Sequence, residues 1–445
     1  MIQRNVLQQL IIWKDSENRK PLVLRGARQV GKTTLVNEFS SGFEVFLTLN
    51  LEKNSDRELF DRYTEIESLL PAIYLYNKKT IQNRPTLLFI DEIQYSVKAI
   101  SMLRYFYEEA PHIHVIAAGS LLEALLNKEK ISFPVGRVSY LPVRPCNFLE
   151  FLDGIGESYD KNLIININGD SVHQRLMDYF RKYTLIGGMP EVITEYAKIR
   201  DVLALQNVYD SLLASYIDDA EKYSDTDSQI QIIRHILKVG WKMAAECIVF
   251  ENFGESKFRS REVGNAFRTL QKAFLLELVY PVSQTKLPLN QNFRKKPKLF
   301  MIDTGLVNYY SKIQTDVFSA KNIQDVWRGK IAEHIVGQEL ICLENSTLSE
   351  RYFWRRDKAG SEAEVDFVYP FKGKAIPVEV KTGHNSKLKS LHMFMENAPH
   401  DIAVRIWGEN FSVDKVKSLN GKEFRLINLP FYYACVLDKV LDNNI

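Results

Sequence analysis

Cysteine is scarce: the 445-residue sequence has four, Cys146, Cys247, Cys342 and Cys435, spread widely along the chain. They form no CxxC pair and have no histidine spacing suited to zinc, which excludes a zinc finger or ribbon and leaves free thiols of a reducing compartment. Long apolar runs are missing too. No stretch approaches the ~18 to 20 apolar residues that span a bilayer, and the start, Met-Ile-Gln-Arg-Asn, has no apolar signal region. The expectation is a cytoplasmic protein without a membrane partner. An excess of one charge sign is also absent, with 58 Lys and Arg against 55 Asp and Glu, a net +3. Such balance gives no global pull toward nucleic acid, so any such surface must be local. There is no internal repeat and no low-complexity tract.

What is present is ordinary globular composition, 45% apolar and 25% charged, in a chain longer than one core usually supports. Three domains are expected, over residues 1–152, 171–315 and 325–445. The first reads as α/β: Pro21–Arg25, Val45–Leu49, Thr86–Ile90 and His114–Ala118 are short apolar runs separated by helical stretches, the pattern of a parallel sheet covered on both faces. Gly154 to Asp170 is polar and rich in Gly and Asn, and reads as a surface excursion. Ser171 to about Leu278 reads as mostly helical. Leu278–Val282 and Leu299–Ile302 then flank a basic, proline-containing loop in a predicted hairpin. The last third restarts with a helix over Trp327–Leu343, strands at Arg351–Trp354, Val365–Tyr369, Ile376–Val380 and Ile402–Trp407, and a helix from Ser386 to Glu396.

Gly26-Ala27-Arg28-Gln29-Val30-Gly31-Lys32-Thr33, with Thr34 beside it, follows a strand and opens a helix, the context that the G-x4-G-K-[ST] pattern requires. Its glycines let backbone N–H groups wrap a phosphate at a helix N-terminus. Lys32 would reach the β- and γ-phosphates of ATP, and Thr33 would offer a hydroxyl to Mg²⁺. The partner of such a loop is a strand ending in carboxylates, and Leu87 to Glu92 supplies one. Asp91 would hold the magnesium shell, and Glu92 would polarise the attacking water. Ser120, at the end of the next apolar run, is a candidate γ-phosphate sensor or a simple turn residue.

These features, with Gly136-Arg137, the run Leu141 to Phe151 and Gly187-Gly-Met-Pro-Glu191, resemble the prokaryotic AAA-type ATPases related to the archaeal ATPase family. The resemblance implies a winged helix after the ATPase core and then a nuclease-like domain of unassigned function. For Arg137 it implies an arginine near the nucleotide or reaching into a neighbouring subunit of a homo-oligomer; a turn-capping arginine is the plain alternative.

Two further constellations carry chemistry. Lys257, Arg259, Arg261, Arg268 and Lys272 lie on or beside one predicted helix, and Lys286, Arg294, Lys295, Lys296 and Lys298 crowd the following loop. A helix before a basic wing is how a winged helix engages double-stranded DNA; a solvated face, a lid or a protein dock is the alternative. In the last third, Glu333 on a helix, Asp366 on a strand and Glu379 with Lys381 on the next would converge on Mg²⁺ or Mn²⁺, with Lys381 acting on the water. That order resembles the PD-(D/E)XK nucleases, though Val365 stands where the named pattern has proline. Two functions remain open: an ATP-driven DNA-processing enzyme that cleaves through Asp366, Glu379 and Lys381, or an ATP-dependent regulatory switch whose other domains only bind partners.

Overall fold

The computed structural model describes residues 2–81, 84–119, 133–224, 226–314, 329–357, 363–383 and 388–444. Strands β1 (Leu22–Arg25), β2 (Val45–Asn50), β3 (Thr86–Asp91), β4 (Ile113–Ala118) and β5 (Ser139–Pro142) form one parallel sheet in the order β2-β3-β4-β1-β5. Their apolar runs are continuous because both faces are covered. Leu22, Leu24, Leu87 and Phe89 enter one core, and Val23, Leu88 and Ile90 enter the other, as a period of two requires. The carboxyl ends of β1 and β3 therefore arrive side by side across β4, presenting Gly26 and Asp91. Helix Lys32–Phe39 buries Leu35, Val36 and Phe39 beneath the loop it opens.

The middle of the chain is built from helices His173–Ile186, Pro190–Ile199, Gln206–Asp218 and Asp227–Val239. Strand β6 (Glu246–Cys247), helix Ser260–Lys272 and strand β7 (Leu276–Val279) follow. Strand β8 (Pro281–Val282) and strand β9 (Lys298–Met301) complete the region. A small antiparallel sheet runs β6-β9-β7. Two expectations change here. The polar stretch after Gly154 is a helix, Ser158–Ile165, rather than an excursion: Ile164 is fully buried, and Gly169 N donates to the Tyr433 hydroxyl at 2.7 Å. The predicted hairpin pairs through β7 and β9, but Pro281–Val282 leaves it and pairs with a strand of the last third.

That last third opens with helix Gly329–Cys342, buried from Ile331 to Ile341. Strands β10 (Phe353–Arg355) and β11 (Glu364–Val365) join β8 in a three-stranded sheet. Strands β12 (Phe367–Phe371), β13 (Lys374–Val380), β14 (Ile402–Trp407), β15 (Ser412–Lys417) and β16 (Glu423–Pro430) form a mixed sheet, β12-β13-β14-β16-β15, with helix Lys389–Asn397 between β13 and β14. The largest buried cluster includes Leu24, Phe180, Val336 and Tyr432, so the three regions share a core. No described helix is long and apolar enough to cross a membrane.

Candidate functional site

The phosphate loop is shaped by close approach. A side chain at Gly26 would meet Val143 O at 2.1 Å, and Gly31 sits at φ +89°, where only glycine is unstrained. Lys32 is buried at the head of its helix, with Nζ donating to Gly26 O at 2.9 Å and Ala27 O at 2.7 Å. Burial lowers its pKa to about 8, against the pull of Glu92 and Asp91. Thr33 Oγ1 donates to Asp91 Oδ2 at 2.8 Å, so the two oxygens Mg²⁺ would take already face each other. Burial raises the Asp91 pKa. Glu92 turns the chain out of β3 in the left-handed region and accepts from the Gln94 amide.

Loop contacts that the sequence did not disclose tie this site to the middle region. Arg28 pairs with Asp219 at 2.9 Å, the Tyr216 hydroxyl donates to Arg28 O at 3.1 Å, and Ser215 Oγ donates to Gln29 Oε1 at 3.4 Å. From the other side Arg4 donates to Val30 O at 2.8 Å. Thr34 is exposed beside Thr33. Ser120 lies outside the described residues. Arg137, just before β5, pairs at 2.7 Å with Glu108 in the last turn of helix Val97–Glu109, at the amino ends of the strands. The parallel topology puts that edge opposite Lys32, so Arg137 does not stand near the phosphate loop of its own chain.

A buried polar network joins all three regions. Gly188 N donates to Asp303 Oδ2 at 2.5 Å, and Cys146 N donates to Gly188 O at 2.6 Å. Asp303 also accepts from Gln338 Nε2 at 3.3 Å. Glu339 accepts from the Tyr183 hydroxyl at 2.6 Å and from Phe148 N at 3.1 Å. Burial pushes Asp303 up to about 6 and Glu339 up to about 8. A carboxyl raised on folding favours the folded state at low pH, and that advantage is lost as pH rises toward the folded value. Stability should therefore fall as pH rises from about 4 to 6 through Asp303 and from about 4.5 to 8 through Glu339, each with a slope of up to about 1.4 kcal/mol per pH unit within its own window. Glu339→Gln should flatten that slope, as read from denaturant melts at several pH values.

The carboxylates of the last third are gathered, but around a different cation from the one expected. Lys298 Nζ, at the start of β9, lies 2.5 Å from Glu333 Oε1, 2.7 Å from Glu364 Oε1 and 4.0 Å from Asp366 Oδ1. Asp366 Oδ2 accepts from Val380 N at 2.8 Å. Glu379 Oε1 pairs with Lys381 at 2.6 Å, while its Oε2 is buried without a hydrogen-bond partner among the described residues. Burial would lower the pKa of the Lys298 ammonium, yet Glu333, Asp366 and Glu364 raise it; burial itself drives Glu333, Asp366 and Glu379 upward. The structure brings Glu333, Asp366, Glu379 and Lys381 together, with Lys298 standing among the carboxylates. An ammonium neutralises carboxylates whose mutual repulsion would otherwise be severe. Among the described residues, no three His, Cys, Asp or Glu side chains are arranged to hold a metal ion. Mg²⁺ thus fits the phosphate loop and does not fit this cluster while Lys298 fills it. Lys298 is corrected as a wing residue, being 3% exposed. Glu364 was missed, though it lies two residues before Asp366, on the same face of an extended chain.

The basic residues divide. Arg259, Arg261, Arg268 and Lys272 are exposed along helix Ser260–Lys272, whose Val263, Ala266, Phe267 and Leu270 face inward. Lys295 and Lys296 are exposed, with Lys295 Nζ 3.7 Å from Asp357.

Residues 18–152 match the family model of an AAA domain. Residues 177–317 and 328–424 match two domains of unknown function, DUF8612 and DUF4143. No curated protein matches the chain. Among solved structures, the Walker-type ATPase PABY2304 of Pyrococcus abyssi is 15% identical, with a TM-score of 0.43, over 70% of this chain and 96% of that one. The RuvB Holliday junction branch migration motor of Thermotoga maritima is 16% identical, with a TM-score of 0.30, over 66% and 91%. The ORC2 protein of Aeropyrum pernix is 9% identical, with a TM-score of 0.25, over 71% and 92%. Likenesses this distant carry no function across. The AAA match and the loop geometry together make residues 18–152 a P-loop ATPase domain of the AAA type.

Proposed function

We propose that this protein is an ATP-dependent conformational switch: nucleotide at the phosphate loop sets how the middle region grips a nuclease-like last third. The observation that carries this reading is Lys298 among Glu333, Glu364 and Asp366. Its strand, β9, belongs to the region that touches the loop through Asp219 and Tyr216. Nucleotide phosphates would draw on Arg28 and compete with Asp219 for it, loosening that contact. The middle region reads as a winged helix, from its order of helix, β6, helix Ser260–Lys272, β7, loop and β9. The last third reads as PD-(D/E)XK-like, from parallel β13 and β14 joined by helix Lys389–Asn397, with Asp366 bonded to Val380 N beside Glu379. Cleavage by that site with Mg²⁺ or Mn²⁺ would require Lys298 to withdraw.

Hydrogen exchange with ATP, with ADP and without nucleotide tests the switch. ATP should speed exchange across Lys298–Met301 and Gly329–Cys342 in the wild type. Asp219→Ala should bind ATP but lose that dependence. Exchange in β9 that ignores nucleotide in the wild type would sink the proposal.

The exposed basic face of helix Ser260–Lys272 favours a second reading, contact with duplex DNA. Arg259→Ala with Arg261→Ala should weaken binding to all sequences alike and lower the slope of log affinity against log salt by about two. Filter binding across a salt series reads both; an unchanged slope assigns the face to ordinary solvation.

A further inference from the structure

A cavity of about 550 Å³ lies where the three regions meet, behind the phosphate loop, with Ala27 and Val30 forming part of its wall. That volume is in the range of small-molecule sites. Its lining is strongly cationic: Arg25, Arg144, Arg268, Lys272 and Arg351 stand against Glu277 and Glu350. Some of this charge is already engaged. Arg351 forms two bonds to Glu277 Oε2, at 3.1 and 2.8 Å, and Arg25 lies over the Tyr140 ring at 3.9 Å. Arg144 is different. Its Nε is buried without a hydrogen-bond partner among the described residues, and burial lowers its pKa. The backbone around it is fixed, with Val143 N donating to Arg25 O and Arg4 Nη2 donating to Arg144 O, both at 2.6 Å. Arg144 is half-buried in the cavity wall, and a guanidinium there with an enclosed, unmet donor favours an anion that can meet it. Near it, Phe293 is 70% exposed and stands edge-on to Tyr280 at 4.8 Å, and Leu348 is 85% exposed; all three line the same cavity. Cations in the wall and unprotected rings beside them match a ligand with a phosphate at one end and a flat ring at the other.

We propose that this cavity is a second ligand site, separate from the phosphate loop, that binds a small nucleotide with its phosphate on Arg144, Arg268 and Lys272 and its base against Phe293 and Tyr280. Because Ala27 and Val30 belong to its wall, occupancy bears directly on the backbone that holds ATP. The full-length Lys32→Ala protein, whose phosphate loop is disabled, isolates the site. Calorimetric titration of that protein with AMP should show one site per chain. Adding Arg144→Met, or separately Arg268→Ala, should weaken AMP by at least about tenfold. Arg144 is half-buried, so Arg144→Met should melt close to its parent; Arg268 is exposed, so its loss leaves folding intact. The proposal fails if the Lys32→Ala protein binds no AMP, or if both added substitutions leave affinity unchanged. Inorganic phosphate binding as tightly as AMP would overturn the ring-bearing class. A single-stranded oligonucleotide binding more tightly than AMP would overturn the small ligand and give the cavity to nucleic acid.

Discussion

Lys298→Met is expected to destabilise the protein by about 3–5 kcal/mol at pH 7.5, the usual result of removing one member of a buried ionic cluster. The Lys298 side chain is buried, and Glu333, Glu364 and Asp366 converge on its ammonium from the last third. Without it, those carboxyls must share a buried space in which, among the described residues, Lys381 is committed to Glu379 and Arg355 reaches only Glu364, at 3.9 Å. Glu333 and Asp366, already raised by burial, would respond by holding protons, so their folded-state pKa values rise further. Groups raised in this way favour folding at acid pH and lose that contribution as pH climbs. The gap between wild type and variant should therefore be small near pH 5 and grow toward pH 8. Glu333→Gln or Asp366→Asn, added to Lys298→Met, should restore part of the loss because the remaining charges repel less. Denaturant melts of the four proteins at pH 5 and 7.5 measure this. A variant as stable as the wild type at both pH values would mean that Lys298 is not the balancing charge. Mg²⁺ or Mn²⁺ that stabilises only the Lys298→Met protein would show that a metal competes with the lysine for one cage.

Local chemistry was legible in the sequence, and long-range pairing was not. The phosphate loop could be read because its parts are contiguous: Gly26, Gly31 and Lys32 act on one another within a single turn. Strands β1 to β4 could be read because burial on both faces leaves continuous apolar runs, and their observed limits lie within a residue or so of those expected. Lys298 could not be read correctly. It follows Arg294, Lys295 and Lys296, and nothing local separates a buried lysine from its solvated neighbours when the partner, Glu333, lies 35 residues away. Residues Gly154 to Asp170 misled for a related reason. Their composition is polar, while the contacts that order them, Ile164 in the core and Gly169 N to Tyr433, depend on the far end of the chain. The wing expectation failed at Pro281–Val282 because β10, which captures it, is a short strand more than 70 residues later. Glu364 was within reach, since its spacing from Asp366 is the period of an extended chain.

At the phosphate loop, Lys32→Ala and Glu92→Gln should abolish turnover in different ways. Lys32 is buried at the head of the loop's helix, and its ammonium already bonds to the carbonyls of Gly26 and Ala27 where it meets the backbone that wraps phosphate. Removing it takes away the charge aimed at the terminal phosphates, so ATP affinity itself should collapse. Glu92 follows Asp91, which is held by Thr33 Oγ1 and so kept for the metal side of the site. Its left-handed backbone carries the side chain away from the strand, and the Gln94 amide holds one of its oxygens. A glutamine there keeps the shape and loses the base, so ATP should still bind while hydrolysis falls by about 10²- to 10⁴-fold. Equilibrium binding of a fluorescent ATP analogue, paired with phosphate release, separates the two. Asp91→Asn should fall between them, binding nucleotide but needing more Mg²⁺ to reach its maximal rate. Turnover near wild type in Glu92→Gln would remove Glu92 as the base and require another group at the carboxyl end of β3 or β4 to take its place.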